Sequence, residues 1–168
     1  MPATYEKIQS TTVTGSATSS IDFTSISSAY TDIVLVFYCK SNSTNNPTLR
    51  LTFNGSSTGF SGRQMYGNAT TPVSNNNTNA SFISIARAAG MPSVANETAL
   101  VLLHIMDYAS TNKYKNVFAQ VNNYENGGEL DIGVWANNAA INRITIDTPT
   151  SNDFAVGSVM TLYGIKAA

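Results

Sequence analysis

Apolar and polar residues alternate with a period of two through most of this chain, a rhythm that suits strands and leaves little room for helices. In "TLRLTFN", Leu49, Leu51 and Phe53 point one way while Arg50 and Thr52 point the other. "ELDIGVWA" repeats the pattern with Leu130, Ile132 and Val134. Gly, Asn, Ser or Pro bounds each such segment, as expected for strands joined by turns. The spacing predicts strands near 3–9, 19–24, 31–39, 48–54, 60–66, 81–86, 97–107, 115–122, 129–136, 141–147 and 158–166. Strands with one dry and one wet face imply two antiparallel sheets packed face to face, an all-β sandwich in a single domain over 1–168.

The closing "GSVMTLYGIKAA" keeps this alternation almost to its last residue, which predicts a final strand paired inside a sheet. Gly164 within it points to a close backbone approach or a bulge. Helical signal is confined to "SIARAAGMP", residues 84–92, where Gly90 and Pro92 stop anything longer than one turn. Residues 67–80, "GNATTPVSNNNTNA", show no apolar period and read as a long loop, and 41–47, "SNSTNNP", as a shorter one.

Composition narrows the function classes. Charged residues make up 11% of the 168, against a usual ~25%, and Ser, Thr and Asn supply about a third of the chain. Such an exterior is polar yet nearly uncharged. With a formal net charge of −1 and no basic cluster, there is no footprint for nucleic acid. No apolar run approaches the ~20 residues of a membrane-spanning helix, so no membrane partner is expected. "MPATYEKIQS" lacks the charged and apolar regions of a secretory signal, which predicts synthesis in a cytoplasm and no glycans on the sequons at Asn42, Asn54, Asn68, Asn76, Asn79 and Asn96.

Candidate chemistry is sparse. Cys39, the only cysteine, lies in "IVLVFYC" and reads as a buried thiol. His104, the only histidine, interrupts "ALVLLHIMD"; the nearby Asp107 is odd in spacing and faces the other side of a strand, so a structural role is favoured over a general base. "NNYENGGELD" offers Glu125, Glu129 and Asp131 as a weak calcium candidate, but "ENGG" reads first as a hairpin turn. No phosphate loop, closed zinc set or nucleophile elbow is present, so neither a catalytic residue nor a cofactor is expected. Trp135 falls opposite Leu130, Ile132 and Val134 on its strand. That puts it outside or against a neighbour, where a residue covering a sheet face or a subunit contact is favoured over a sugar-stacking platform.

The stretches "TYEKIQSTTVTGSATSSIDFTSISSAYTDIVLVF", "LRLTFNGSSTGFS", "IMDYASTNKYKNV", "WANNAAINRITI" and "FAVGSVMTLYGIK", from Thr4 to Lys166, together resemble a family of small virion structural proteins of tailed bacteriophages, frequent in cyanophages and other marine phages. The resemblance implies a jelly-roll type of β-sandwich without enzymatic activity, built into the particle surface as a capsid decoration or knob protein, or into a tail or fibre. The partners implied are the major capsid protein or tail components and further copies of the chain, on a virion assembled in the host cytoplasm. A capsid position is favoured because a single domain has no fibre shaft. The alternative is a tail- or fibre-associated carbohydrate-binding module that meets a host-surface glycan through Trp135 and the 67–80 segment. The family often carries Asp after "FNG"; Ser56 stands there in this chain, so any contact made by that carboxylate is not carried over.

Overall fold

The computed structural model describes residues 5–43, 47–68, 71–86, 91–92, 97–123, 127–149 and 152–166. Strand β3, Asp32–Cys39, is built from β-branched and aromatic residues, the types that fill a pleated surface best. Its Ile33, Leu35, Phe37 and Cys39 are fully buried. It lies between the C-terminal strand β12 (Val159–Ile165) and β8 (Ala99–Met106). Outside β12 runs β1 (Tyr5–Thr12). Beyond β8 follow β9 (Lys115–Asn123), β10 (Gly127–Trp135), β5 (Phe60–Asn68) and β6 (Thr71–Ala80). Each pairing in this eight-stranded sheet is antiparallel.

A four-stranded antiparallel sheet packs against it in the order β2 (Ser20–Phe23), β11 (Ile144–Asp147), β4 (Leu49–Phe53) and β7 (Ile83–Ile85). Among the described residues there is no helix. The buried apolar side chains of both sheets form one cluster, with Leu49, Leu51 and Phe53 pointing inward as their alternation predicts. The chain's last strand lies inside the large sheet, hydrogen-bonded on both sides. A Cβ on Gly164 would meet the Tyr30 ring at 2.3 Å, which is the close approach its position suggests.

Three expectations need correction. Residues 71–80 are not loop but strand β6, laddered on β5 in a register that runs from Asn68↔Thr71 to Phe60↔Ala80. The segment lacks an apolar period because it is an edge strand exposed along nearly its whole length. The helix-prone stretch 84–92 begins in strand β7, and Ala86 follows it with a left-handed φ of 55°; residues 87–90 lie outside the described residues. In β10 the faces are reversed. Leu130 and Ile132 are exposed and Val134 half-buried, whereas Glu129, Asp131, Gly133 and Trp135 turn inward.

Packing explains the reversal. The Trp135 ring stacks on Phe60 at 6.0 Å between centroids and tilts against Phe53 at 5.6 Å, bridging the two sheets. Next along the inner face, a Cβ on Gly133 would lie 2.7 Å from two carbons of Ile83, so only glycine lets β7 approach this closely. Farther on, the interior turns polar. Gln64 Nε2 donates to Glu129 Oε1 at 3.1 Å, and the Ala86 N–H donates to Asp131 Oδ2 at 2.9 Å. Burial, and then the neighbouring Glu129 carboxyl, push the Asp131 pKa up to about 8.

Two outcomes follow. Trp135→Ala should cost about 3–5 kcal/mol, because it empties a ring-sized volume at the junction of the sheets; urea unfolding of parent and variant measures it. For Asp131 the folded-state pKa lies above that of the unfolded chain, so the folded state holds the proton more tightly. Its contribution is complete below about pH 4 and is lost as pH rises through about 8. The melting temperature should therefore fall between pH 5 and pH 8.5 in the parent and fall less in Asp131→Asn, which keeps an acceptor for Ala86. Equal slopes in the two proteins would refute the assignment.

Candidate functional site: the outer face of the large sheet

In an antiparallel ladder, directly opposed residues share a face, so the registers fix what the eight-stranded sheet shows to the outside. One cross-strand row runs Thr161, Val36, Leu102, Gln120, Leu130, Met65 and Ser74. The next runs Tyr163, Val34, His104, Phe118, Ile132, Arg63 and Asn76. On the other side of the first row lie Tyr38, Leu100, Asn122 and Gly128. Met65, Leu102, Leu130 and Ile132 are each 39–42% exposed, and Tyr38 more so. A groove of about 760 Å³ follows this face, with Met65, Leu100, Leu102 and Leu130 among its walls.

The outer face of the small sheet is the opposite in character. Its rows are Asp22, Thr145 and Thr52, then Ser20, Asp147, Arg50 and Ser84. Arg50 pairs with Asp147, and Arg143 pairs with Asp22 at 3.0 Å. Water suits that surface as it stands. The large sheet instead exposes Leu102, Leu130, Met65 and Ile132 on three of its strands, with Gln120 between Leu102 and Leu130.

The other candidates resolve into structural roles. Trp135 is 1% exposed, so it is neither a glycan platform nor a subunit contact; the sequence reading erred by taking the more apolar set of β10 for its inner face. His104 Nε2 lies 3.0 Å from Asp32 Oδ2, and the same carboxylate accepts the Asp107 N–H through Oδ1. Asp32 thus ties the end of β8 to the start of β3. Asp107 does not orient the imidazole; its own carboxylate accepts from Lys113 Nζ. Nothing local in the sequence announces Asp32, because 72 residues separate it from His104.

Glu129 and Asp131 share the inner face, roofed by β7 and nearly closed to solvent, and Glu125 lies outside the described residues. Among the described residues no group of three or more His, Cys, Asp or Glu side chains assembles for a metal ion. Cys39 is buried in the core, and burial pushes its thiol up to about 12. Lys115, also buried, donates to the carbonyls of Ser110, Lys113 and Asn138, and burial pulls its pKa down. Ser56 closes the turn after β4: its N–H donates to the Phe53 carbonyl and its hydroxyl to that of Thr58. No helix is long and apolar enough to cross a membrane among the described residues.

Comparison with known proteins adds no family. No family model matches the chain, and no curated protein does. Among solved structures, it is similar to the marine PL-14 alginate lyase from Aplysia kurodai at a TM-score of 0.37 and 12% identity, over 85% of this chain and 72% of that one. It is also similar to a protein of unknown function from Shewanella oneidensis MR-1 at a TM-score of 0.23 and 12% identity, over 84% and 61% of the two chains.

Proposed function

We propose that this chain is a non-enzymatic structural protein on the surface of a tailed-phage virion, a capsid decoration or knob protein that docks through the outer face of its eight-stranded sheet. The observation that carries the reading is the contrast between the two outer faces. One is hydroxyl-rich and internally ion-paired, and the other presents Met65, Leu102, Leu130 and Ile132 in adjoining rows. A protein whose task is to stay attached needs one face that excludes water on contact and one that tolerates it. The sequence resemblance supplies the setting, a virion assembled in the host cytoplasm. The partner is a capsid or tail protein with an apolar patch of its own, and copies of the chain take part as neighbours.

The pattern of polar groups supports a role without chemistry. The buried ionisable side chains Lys115 and Asp131 lie inside the fold, and Glu129 lies beside the groove with its side chain turned inward. His104 is engaged by Asp32 on the outer face. The carbohydrate-binding alternative loses its stacking platform with Trp135 buried. Leucine and methionine walls suit the side chains of a partner protein better than the hydroxyls of a sugar.

Locating the chain in reconstructions of intact particles tests this reading. Copies on the order of hundreds per particle are expected for repeated positions on a symmetric capsid, and at most a few dozen would move the assignment to the tail. Absence from purified particles would overturn it. The docking face has its own test: Leu102→Glu with Leu130→Glu should lower particle occupancy at least about tenfold while leaving thermal unfolding nearly unchanged, since both side chains already meet solvent.

A further inference from the structure

A sheet edge presents unpaired N–H and C=O groups, and proteins blunt such edges with charge, bulges or brevity. Among the described residues the two sheets end in four edge strands, and three of them are short, charged or both. β1 holds Glu6 and Lys7 and breaks register between Lys7 and Gln9, and its Glu6 is paired with Lys166 at 3.0 Å. β2 has four residues, with Asp22 bound to Arg143. β7 has three. The fourth, β6, is ten residues long, holds no ionisable side chain and ladders on one side only. Its devices sit at its ends: Pro72 near one, and near the other a register shift against β5 between Phe60 and Gly62, where Asn79 takes a left-handed φ of 52°. Val73 to Asn77, in unbroken register with β5, form an open, uncharged template that Thr78 extends into the shift.

We infer that β6 pairs with β6 of a second copy of this chain, antiparallel about a two-fold axis at Asn76. The strand is its own complement. Around that axis Asn76 opposes Asn76, Asn75 opposes Asn77, and Ser74 opposes Thr78, so amides meet amides, hydroxyls meet hydroxyls, and no like charges face each other. The nearest charge on the outer face, Arg63 beside Asn76, lies three strand spacings from its symmetry mate, about 14 Å and beyond the ~8 Å screening length in physiological salt. Pairing joins two eight-stranded sheets into one and sets both apolar outer faces on the same side. The inference names a surface for the self-association proposed above, but the edge carries it independently of the virion.

Sedimentation equilibrium of the purified full chain tests it. The parent should show a reversible monomer–dimer equilibrium, and Asn76→Lys, which sets two ammonium groups opposite each other at the axis, should weaken it roughly fivefold or more. Opposed residues in such a ladder have Cα atoms about 4.5–5.5 Å apart, within the span of a disulfide. Asn76→Cys should therefore cross-link to a covalent dimer on mild oxidation, well ahead of Asn112→Cys in an exposed turn. Circular dichroism confirms that each variant is folded, and if Asn76→Lys is not, the cysteine pair decides. A parent that stays monomeric at its solubility limit, unaltered association in Asn76→Lys, or cross-linking no faster than the turn control would overturn the pairing. These outcomes leave the particle copy number untouched, and absence from particles would leave the sedimentation untouched.

Discussion

Eight strands cannot be roofed by four. At ~4.8 Å per strand spacing the large sheet spans ~34 Å and the small one ~14 Å, so the interior cannot be uniformly apolar from edge to edge. Beneath β4 and β11 the core is aliphatic and aromatic. Toward β10 and β5, where β7 is the last roofing strand, the inner rows continue from Leu35, Leu103 and Ala119 into Asp131 and Gln64, and from Phe37, Val101 and Val121 into Glu129. Trp135 closes the flank by reaching across to Phe53 and Phe60. The sheet then runs on past its roof to β6, and the same mismatch leaves that strand as a long free edge.

How much of this was legible in the sequence depends on what each residue meets. Strand existence was, because Leu49, Leu51 and Phe53 alternate against Arg50 and Thr52, and one wet and one dry face produce that rhythm. The final strand was legible for the same reason. The facing of β10 was not. Alternation marks two faces but not which one is inward, and here the more apolar set, Leu130, Ile132 and Val134, points out while Asp131 and Trp135 point in. Periodicity reports burial only when the wet face is the more polar one, and a strand with leucine and isoleucine outside and carboxyls inside breaks that assumption. β6 escaped notice from the opposite cause, since with both faces wet there is nothing to alternate. The His104–Asp32 contact escaped because 72 residues separate its partners and register alone brings them together.

Low charge gains a meaning once the faces are assigned. Identical molecules around a two-fold axis set each group near that axis against its own copy, so an unpaired charge there becomes a repulsion. This chain carries few charges and ties several of them within itself: Arg50 to Asp147, Arg143 to Asp22, Lys113 to Asp107 and Lys166 to Glu6. Surface pairs of this kind add little to stability. Their effect on packing is larger, because each converts two monopoles into a short dipole whose field fades within a few ångströms. Hydroxyl and amide side chains then carry solubility without imposing a sign on whatever approaches.

These features bear on one another under the proposed role. Antiparallel pairing of β6 about a two-fold normal to the sheet keeps both apolar faces on one side, so a dimer would offer a partner two docking bands in a fixed relative orientation. Attachment through two such faces is bivalent, and the second contact forms at the high local concentration set by the first. Modest affinity per face then suffices for retention. The exposed apolar area of a free monomer can accordingly stay limited to a few side chains, each about two-fifths accessible, rather than growing into a patch large enough to drive indiscriminate aggregation.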